Sequence, residues 1–173
     1  MNMTELLSAP IYGKLFNREL HDFIMNITGL SDKMIRPDYQ FEPPIFADDL
    51  DWCSFRCPKI EPLFGVFEKV SQDGFFRQEQ EKVDFIVSFY GPNAFLNCRK
   101  FVSGMKLGDF WNVFQKKTGC RLISADIIEG VPDLLDGHWV MHKDVLGSFL
   151  RETTWKYSGI NEVSSVVTEI QED

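Results

Sequence analysis

The chain has 173 residues, 44% of them hydrophobic and 25% charged, with a formal charge of −8 at neutral pH. That length fits a single domain with a substantial core. The acid surplus excludes broad affinity for nucleic acid, which needs clustered Lys and Arg to displace phosphate counterions, and no apolar run approaches the roughly 20 residues that span a bilayer, so no membrane partner is expected.

Aromatic residues make up 14% of the chain, and 16 of them are Phe. They supply core material and also surface that suits burial by a partner. The start, "MNMTELLSAPIYGKLF", lacks a basic stretch followed by an apolar one, so a cytosolic product is expected. Cys53, Cys57, Cys98 and Cys120 are then expected to stay reduced.

In chain order, residues 1–16 read as an N-terminal arm, although Ile11, Tyr12, Leu15 and Phe16 are too apolar for a merely solvated tail. A helix is predicted from Asn17, its cap, to Gly29. Leu20, Phe23, Ile24 and Ile27 line one face at helical spacing. Residues 36–51 form an extended, Pro-rich connection: "RPDYQFEPPIFADDLDW" holds three prolines and five acidic residues.

"WCSFRC", residues 52–57, begins a β region with Cys53, Phe55 and Cys57 on one face. A second run follows near Leu63–Val70, and Asp73–Gly74 signals a turn. Arg77–Tyr90 is the clearest strand, with Val83, Phe85, Val87 and Phe89 facing inward and Lys82, Asp84, Ser88, Ile86 and Tyr90 facing outward. At the corner "YGPNAF", Gly91 occupies the predicted cap and Pro92 the first helical position. The helix is expected to bury Ala94, Phe95, Cys98, Phe101, Val102 and Met105. Another helix, 107–118, is expected to bury Leu107, Phe110, Trp111 and Phe114 before ending at Gly119. Residues 120–130 read as a strand and "VPDLLDGHW" as a turn-rich connection. Residues 139–157 read as a long strand bent or bulged at Gly147. Residues 158–173 are a final strand or an acidic tail. The order implies an α+β domain: a mostly antiparallel sheet with two or three helices on one face.

Reactive chemistry was sought at each motif. The Gly-Pro corner offers one glycine and loses a donor at Pro92, so a turn is favoured over a phosphate cradle. Cys53/Cys57 and His138/His142 have ligand-like spacing, but on a strand four residues span about 13 Å, too far for one ion. No cofactor or metal is expected. Cys98 falls on an apolar helix face, which suits packing better than nucleophilic attack. Asp48, Asp49 and Asp51 read as a solvated acidic loop, since no Gly-containing calcium loop accompanies them. A cysteine or zinc hydrolase is thus disfavoured, and binding or assembly is preferred.

Two stretches taken together, "FIMNITGLSDKMIRPDYQFEPPIF…DWCSF" (23–55) and "VDFIVSFYGPNAFLNCRKFVSGM" (83–105), resemble the neck or tail terminator proteins of tailed bacteriophages. The resemblance covers roughly residues 17–157. Arg36, Pro37, Tyr39, Gln40, Glu42, Pro43 and Pro44 correspond to the family's Pro-rich segment, and Tyr90, Gly91, Pro92, Asn93 and Ala94 to its strand-to-helix corner. These are expected to be structural or interface positions. The resemblance implies a non-enzymatic virion protein at the tail–neck junction. It would form a ring, with a hexamer expected, that caps the tail tube and joins tail to head. Its partners would be copies of itself, the tail tube protein and the connector proteins of the neck. DNA would pass without being specifically bound. The alternative within the same class is a head–tail connector or tail-completion protein.

Overall fold

A computed structural model of the chain describes residues 12–38, 46–47, 49–63, 66–71, 74–135 and 137–157. Three helices, α1 (Gly13–Thr28), α2 (Ala94–Gly104) and α3 (Gly108–Thr118), cover one face of a mostly antiparallel sheet. The strands are β1 (Ile35–Pro37), β2 (Trp52–Pro62), β3 (Phe67–Ser71), β4 (Gly74–Tyr90), β5 (Cys120–Glu129) and β8 (His142–Tyr157), in the order β1-β2-β4-β8-β5 with β3 also on β4. Among the described strands, β1 alone runs parallel to its neighbour. A separate hairpin joins β6 (Asp133–Leu135) to β7 (His138–Val140). This is the α+β architecture read from the sequence.

The spine of the fold is the β4–β8 ribbon, paired without interruption from Phe75 opposite Tyr157 to Tyr90 opposite His142. Alternation decides its faces. Val83, Phe85, Val87 and Phe89 are all buried beneath the helices, as are Val145 and Phe149 opposite them. Phe85 and Phe149 stack with ring centroids 4.4 Å apart, and Phe23 of α1 stacks on Phe114 of α3 at the same distance.

α1 begins at Gly13, so Asn17 lies inside the helix and does not cap it. The cause is Phe16. It stands one turn before Leu20 on the same apolar stripe, is buried, and meets Phe114 edge-on, so packing extends the helix beyond its polar start signal. Gly29 and Gly119 end α1 and α3 in the left-handed conformation, as read. Tyr12, assigned from sequence to the arm, lies over a buried ion pair between Arg151 of β8 and Glu81 of β4 (Nη2 to Oε2, 2.7 Å). Its hydroxyl donates to Glu81 at 2.5 Å. Residues 1–11 and 158–173 lie outside the described residues, as does the turn at 72–73, although Ser71 does pair with Gly74.

Gly147 carries no bulge. It keeps register with Phe85 on one side and Ala125 on the other, and the irregularity falls instead between Leu122 and Ser124 of β5. The glycine is needed for close approach: a Cβ there would lie 2.3 Å from Cζ of Phe85 and 2.5 Å from the Ser124 carbonyl. The strand read over 139–157 is split at Met141 into β7 and β8, and the turn-rich connection before it folds as the β6–β7 hairpin. Phe95 and Leu107 are exposed, contrary to the helical faces assigned them. Asn97 and Gly104 take inward positions of α2 instead, and Gly104 lies so close to α1 that a Cβ there would come 2.3 Å from Cγ2 of Ile27.

Candidate interaction site: the strand-to-helix corner and its supports

The corner at the end of β4 is held from three sides. Gly91 adopts φ +95°, and a Cβ there would meet the Leu50 carbonyl at 2.4 Å and Asp51 Oδ1 at 2.7 Å. Both the conformation and the space therefore demand glycine. α2 starts at Ala94, two residues after the position expected for its first turn: Gly91 and Pro92 form a turn in which the Ala94 amide donates to the Gly91 carbonyl (3.1 Å). Asp51, read from sequence as part of a solvated acidic loop, instead clamps this turn. It accepts from the Asn93 amide and from Asn93 Nδ2, each at 2.8 Å. That arrangement satisfies a free donor at the helix start and sets a negative charge where the helix dipole favours one.

The preceding residue, Tyr90, turns to the sheet face opposite the helices. There Phe46, Trp52, Tyr90 and His142 form a continuous row of rings, with successive centroids 5.0, 3.9 and 5.0 Å apart. The Tyr90 hydroxyl donates to Asp133 of the hairpin (2.6 Å). Burial, followed by that carboxylate, pushes its pKa up. His142 places Nδ1 2.7 Å from Asp144 and Nε2 2.6 Å from the Val131 carbonyl. Both partners can only accept, so this geometry is satisfied in full by an imidazolium, with a proton on each ring nitrogen. The bond to Asp144 is the main cause of the raised His142 pKa. Burial opposes ionisation of Asp144, but its bonds to His142 and Ser88 outweigh that and hold it below the usual carboxylate range.

This cluster ties β2, β4, β8 and the hairpin together. Burial raises every thiol, Cys57 and Cys98 to about 12 and Cys120 to about 11, which keeps them protonated at neutral pH. Cys98 Sγ points at the Lys143 carbonyl (3.5 Å). His138 is exposed on β7 while His142 is buried on β8. Among the described residues no group of three or more His, Cys, Asp or Glu is placed to hold a metal ion, and no helix is long and apolar enough to cross a membrane. One groove, about 540 Å³, runs between α1 and α3 beside Asp22, Phe110 and Lys117. Another, about 640 Å³, lies beside Tyr12, Pro37, Asp38 and Arg56.

Of the positions singled out in the sequence, Arg36 and Pro37 form β1 and pair with Ser54 and Phe55. Tyr90, Gly91, Pro92, Asn93 and Ala94 form the corner. Tyr39, Gln40, Glu42, Pro43 and Pro44 lie outside the described residues. The structure thus joins the two motifs through Asp51 and Trp52, which follow the Pro-rich segment and contact the corner. Sequence reasoning missed Asp51 and Asp133, whose partners Asn93 and Tyr90 are 42 and 43 positions away, and missed the His142–Asp144 pair, whose two-residue spacing is shared by all same-face neighbours on a strand.

Fold and site together define a small α+β domain whose distinctive residues fix shape and orientation. The model of the phage neck terminator protein family matches residues 14–173, and the chain belongs to that family. No curated protein matches it.

Proposed function

We propose that this chain is the terminator subunit of a phage neck. It caps the tail tube as a ring, with six copies expected, and presents the surface that joins the tail to the head. The observation that carries this reading, beyond family membership, is the sheet's open edges. Among the described residues, β5 has no strand outside it along Cys120–Glu129, and β2 has none beyond Phe55. Open edges are templates for another chain, and monomeric proteins generally cover or blunt them. The role is structural, not enzymatic: the motif residues orient a helix, and the thiols are held in their unreactive form. The net charge of −8 suits a channel through which DNA passes without being gripped. The Pro-rich segment, with Tyr39, Gln40, Glu42, Pro43 and Pro44, lies against a neighbouring subunit in this arrangement. A pre-extended backbone there loses less entropy on docking.

Depletion of the protein during phage assembly tests the proposal. A missing terminator leaves tails of abnormal length. Tails of normal length that lack heads would instead identify a connector at another level of the neck. Electron microscopy of the particle should place the protein at the head-proximal end of the tube.

A further inference from the structure

We infer that neighbouring copies join head to tail by seating the β6–β7 hairpin of one subunit on the exposed face of α2 and α3 of the next; this rests on the ring reading above and specifies its interface. The hairpin is unusual in being apolar at its surface. Leu134 and Trp139 are direct cross-strand partners, yet they are 58% and 71% exposed, and Val131 and Met141 flank them, also exposed. A two-stranded ribbon has little stability of its own. This one is anchored by the Asp133–Tyr90 and Val131–His142 bonds at its base, which leaves its apolar pair outward.

The helix layer shows a matching pattern. Phe95 on α2 and Val113 on α3 are exposed, and each is followed four residues later by a cation, Arg99 and Lys117, the second of which also pairs with Glu19 of α1 (2.8 Å). That spacing puts each apolar–basic pair on one helix face. Charge separates the two surfaces. Residues 94–118 carry Arg99, Lys100, Lys106, Lys116 and Lys117 against Asp109, a surplus of four positive charges in a chain of net −8. Residues 125–144 carry Asp126, Glu129, Asp133, Asp136 and Asp144 against Lys143 and the His142 imidazolium, a surplus of three negative charges. Apolar-acidic therefore faces apolar-basic.

The hairpin is anchored through Asp133 on the sheet face opposite the helices, so the two surfaces belong to opposite sides of one subunit. A contact between unlike surfaces on opposite sides propagates, and it closes into a ring when its rotation permits. Opposite charge also sets register and rejects the hairpin-to-hairpin and helix-to-helix pairings.

The test uses two full-length variants, Leu134→Glu/Trp139→Glu on the hairpin and Phe95→Glu/Arg99→Glu on α2, with Trp139→Ala as a milder hairpin change. All four positions are exposed, and circular dichroism and thermal melting check the fold. Sedimentation velocity should show wild-type assembly, alone or on tail tube, with each double variant needing at least tenfold more protein to assemble. Mixed one to one, the double variants should form a dimer and stop there, because only one intact junction can form between them. If wild type assembles and the variants assemble equally well, or if the mixture stays monomeric, the interface is wrong and the ring stands. The hairpin would then be covered by another neck protein or by residues 158–173. If wild type forms no assembly at any concentration or on tube, the ring reading falls and this interface with it.

Discussion

Trp52 lies flat on Tyr90, with ring centroids 3.9 Å apart and an interplanar angle of 5°. The two are register partners on β2 and β4, so the stack fixes the edge of the sheet where the Pro-rich connection arrives and where the chain departs for α2. Trp52→Ala should cost about 3 kcal/mol, typical of losing a large packed aromatic side chain. Tyr90→Phe keeps the stack, loses the bond to Asp133 and should cost about 1 kcal/mol. Chemical denaturation of the three proteins separates the two contributions; equal costs would show that the hydroxyl bond, not the stack, holds this edge.

Gly91 is the position least tolerant of change. Gly91→Ala combines a left-handed backbone with a methyl group pressed against the Leu50 carbonyl. Strain of this kind costs about 1–3 kcal/mol before any clash is counted. The variant should melt several degrees lower, and amide exchange should quicken at the start of α2. Unchanged exchange at Asn93 and Ala94 would refute the role assigned to the corner.

The Arg151–Glu81 pair gives a sharper test of buried charge. Arg151→Met leaves the buried Glu81 carboxylate, to which Tyr12 donates, without its cationic partner and should cost about 3–5 kcal/mol. The double variant Arg151→Met/Glu81→Met should recover most of that loss, because no buried charge remains. A double-mutant cycle by urea unfolding measures the coupling; additive losses would show that the two side chains act independently.

His142 makes stability depend on pH. Its folded pKa is raised, so its contribution is fully present below the unfolded value of about 6.5 and is lost as pH rises through the folded value. Asp144 is lowered, so its contribution is present above the unfolded value and fades as pH falls through the folded one. Wild type should therefore lose stability relative to His142→Gln on moving from pH 6 into the alkaline range. Parallel curves for the two proteins across that range would contradict the imidazolium assignment.

The buried thiols of Cys53, Cys98 and Cys120 should resist alkylation in the native protein at pH 8 and react together on unfolding, because burial keeps them protonated and out of reach. Cys98→Ala should support tail assembly as wild type does. Rapid labelling of Cys98 alone, or loss of assembly in that variant with its fold intact, would reopen the hydrolase reading.

The sequence by itself determined the elements whose signals are local. The alternation of Val83, Phe85, Val87 and Phe89 marks β4, and its inward face follows without further information. The left-handed stops at Gly29 and Gly119, and the glycine at the Tyr90–Ala94 corner, are read from neighbouring residues alone. Tertiary structure decided what depends on groups far apart in the chain. Phe16 lengthens α1 because Phe114 awaits it, and Asp51 becomes a cap because the corner returns beside it. Phe95 and Leu107 stay outside because, among the described residues, no further layer covers the helices. Periodicity records which residues share a face, but only the assembled fold decides whether that face meets protein or water, since burial belongs to two surfaces and a local pattern describes one.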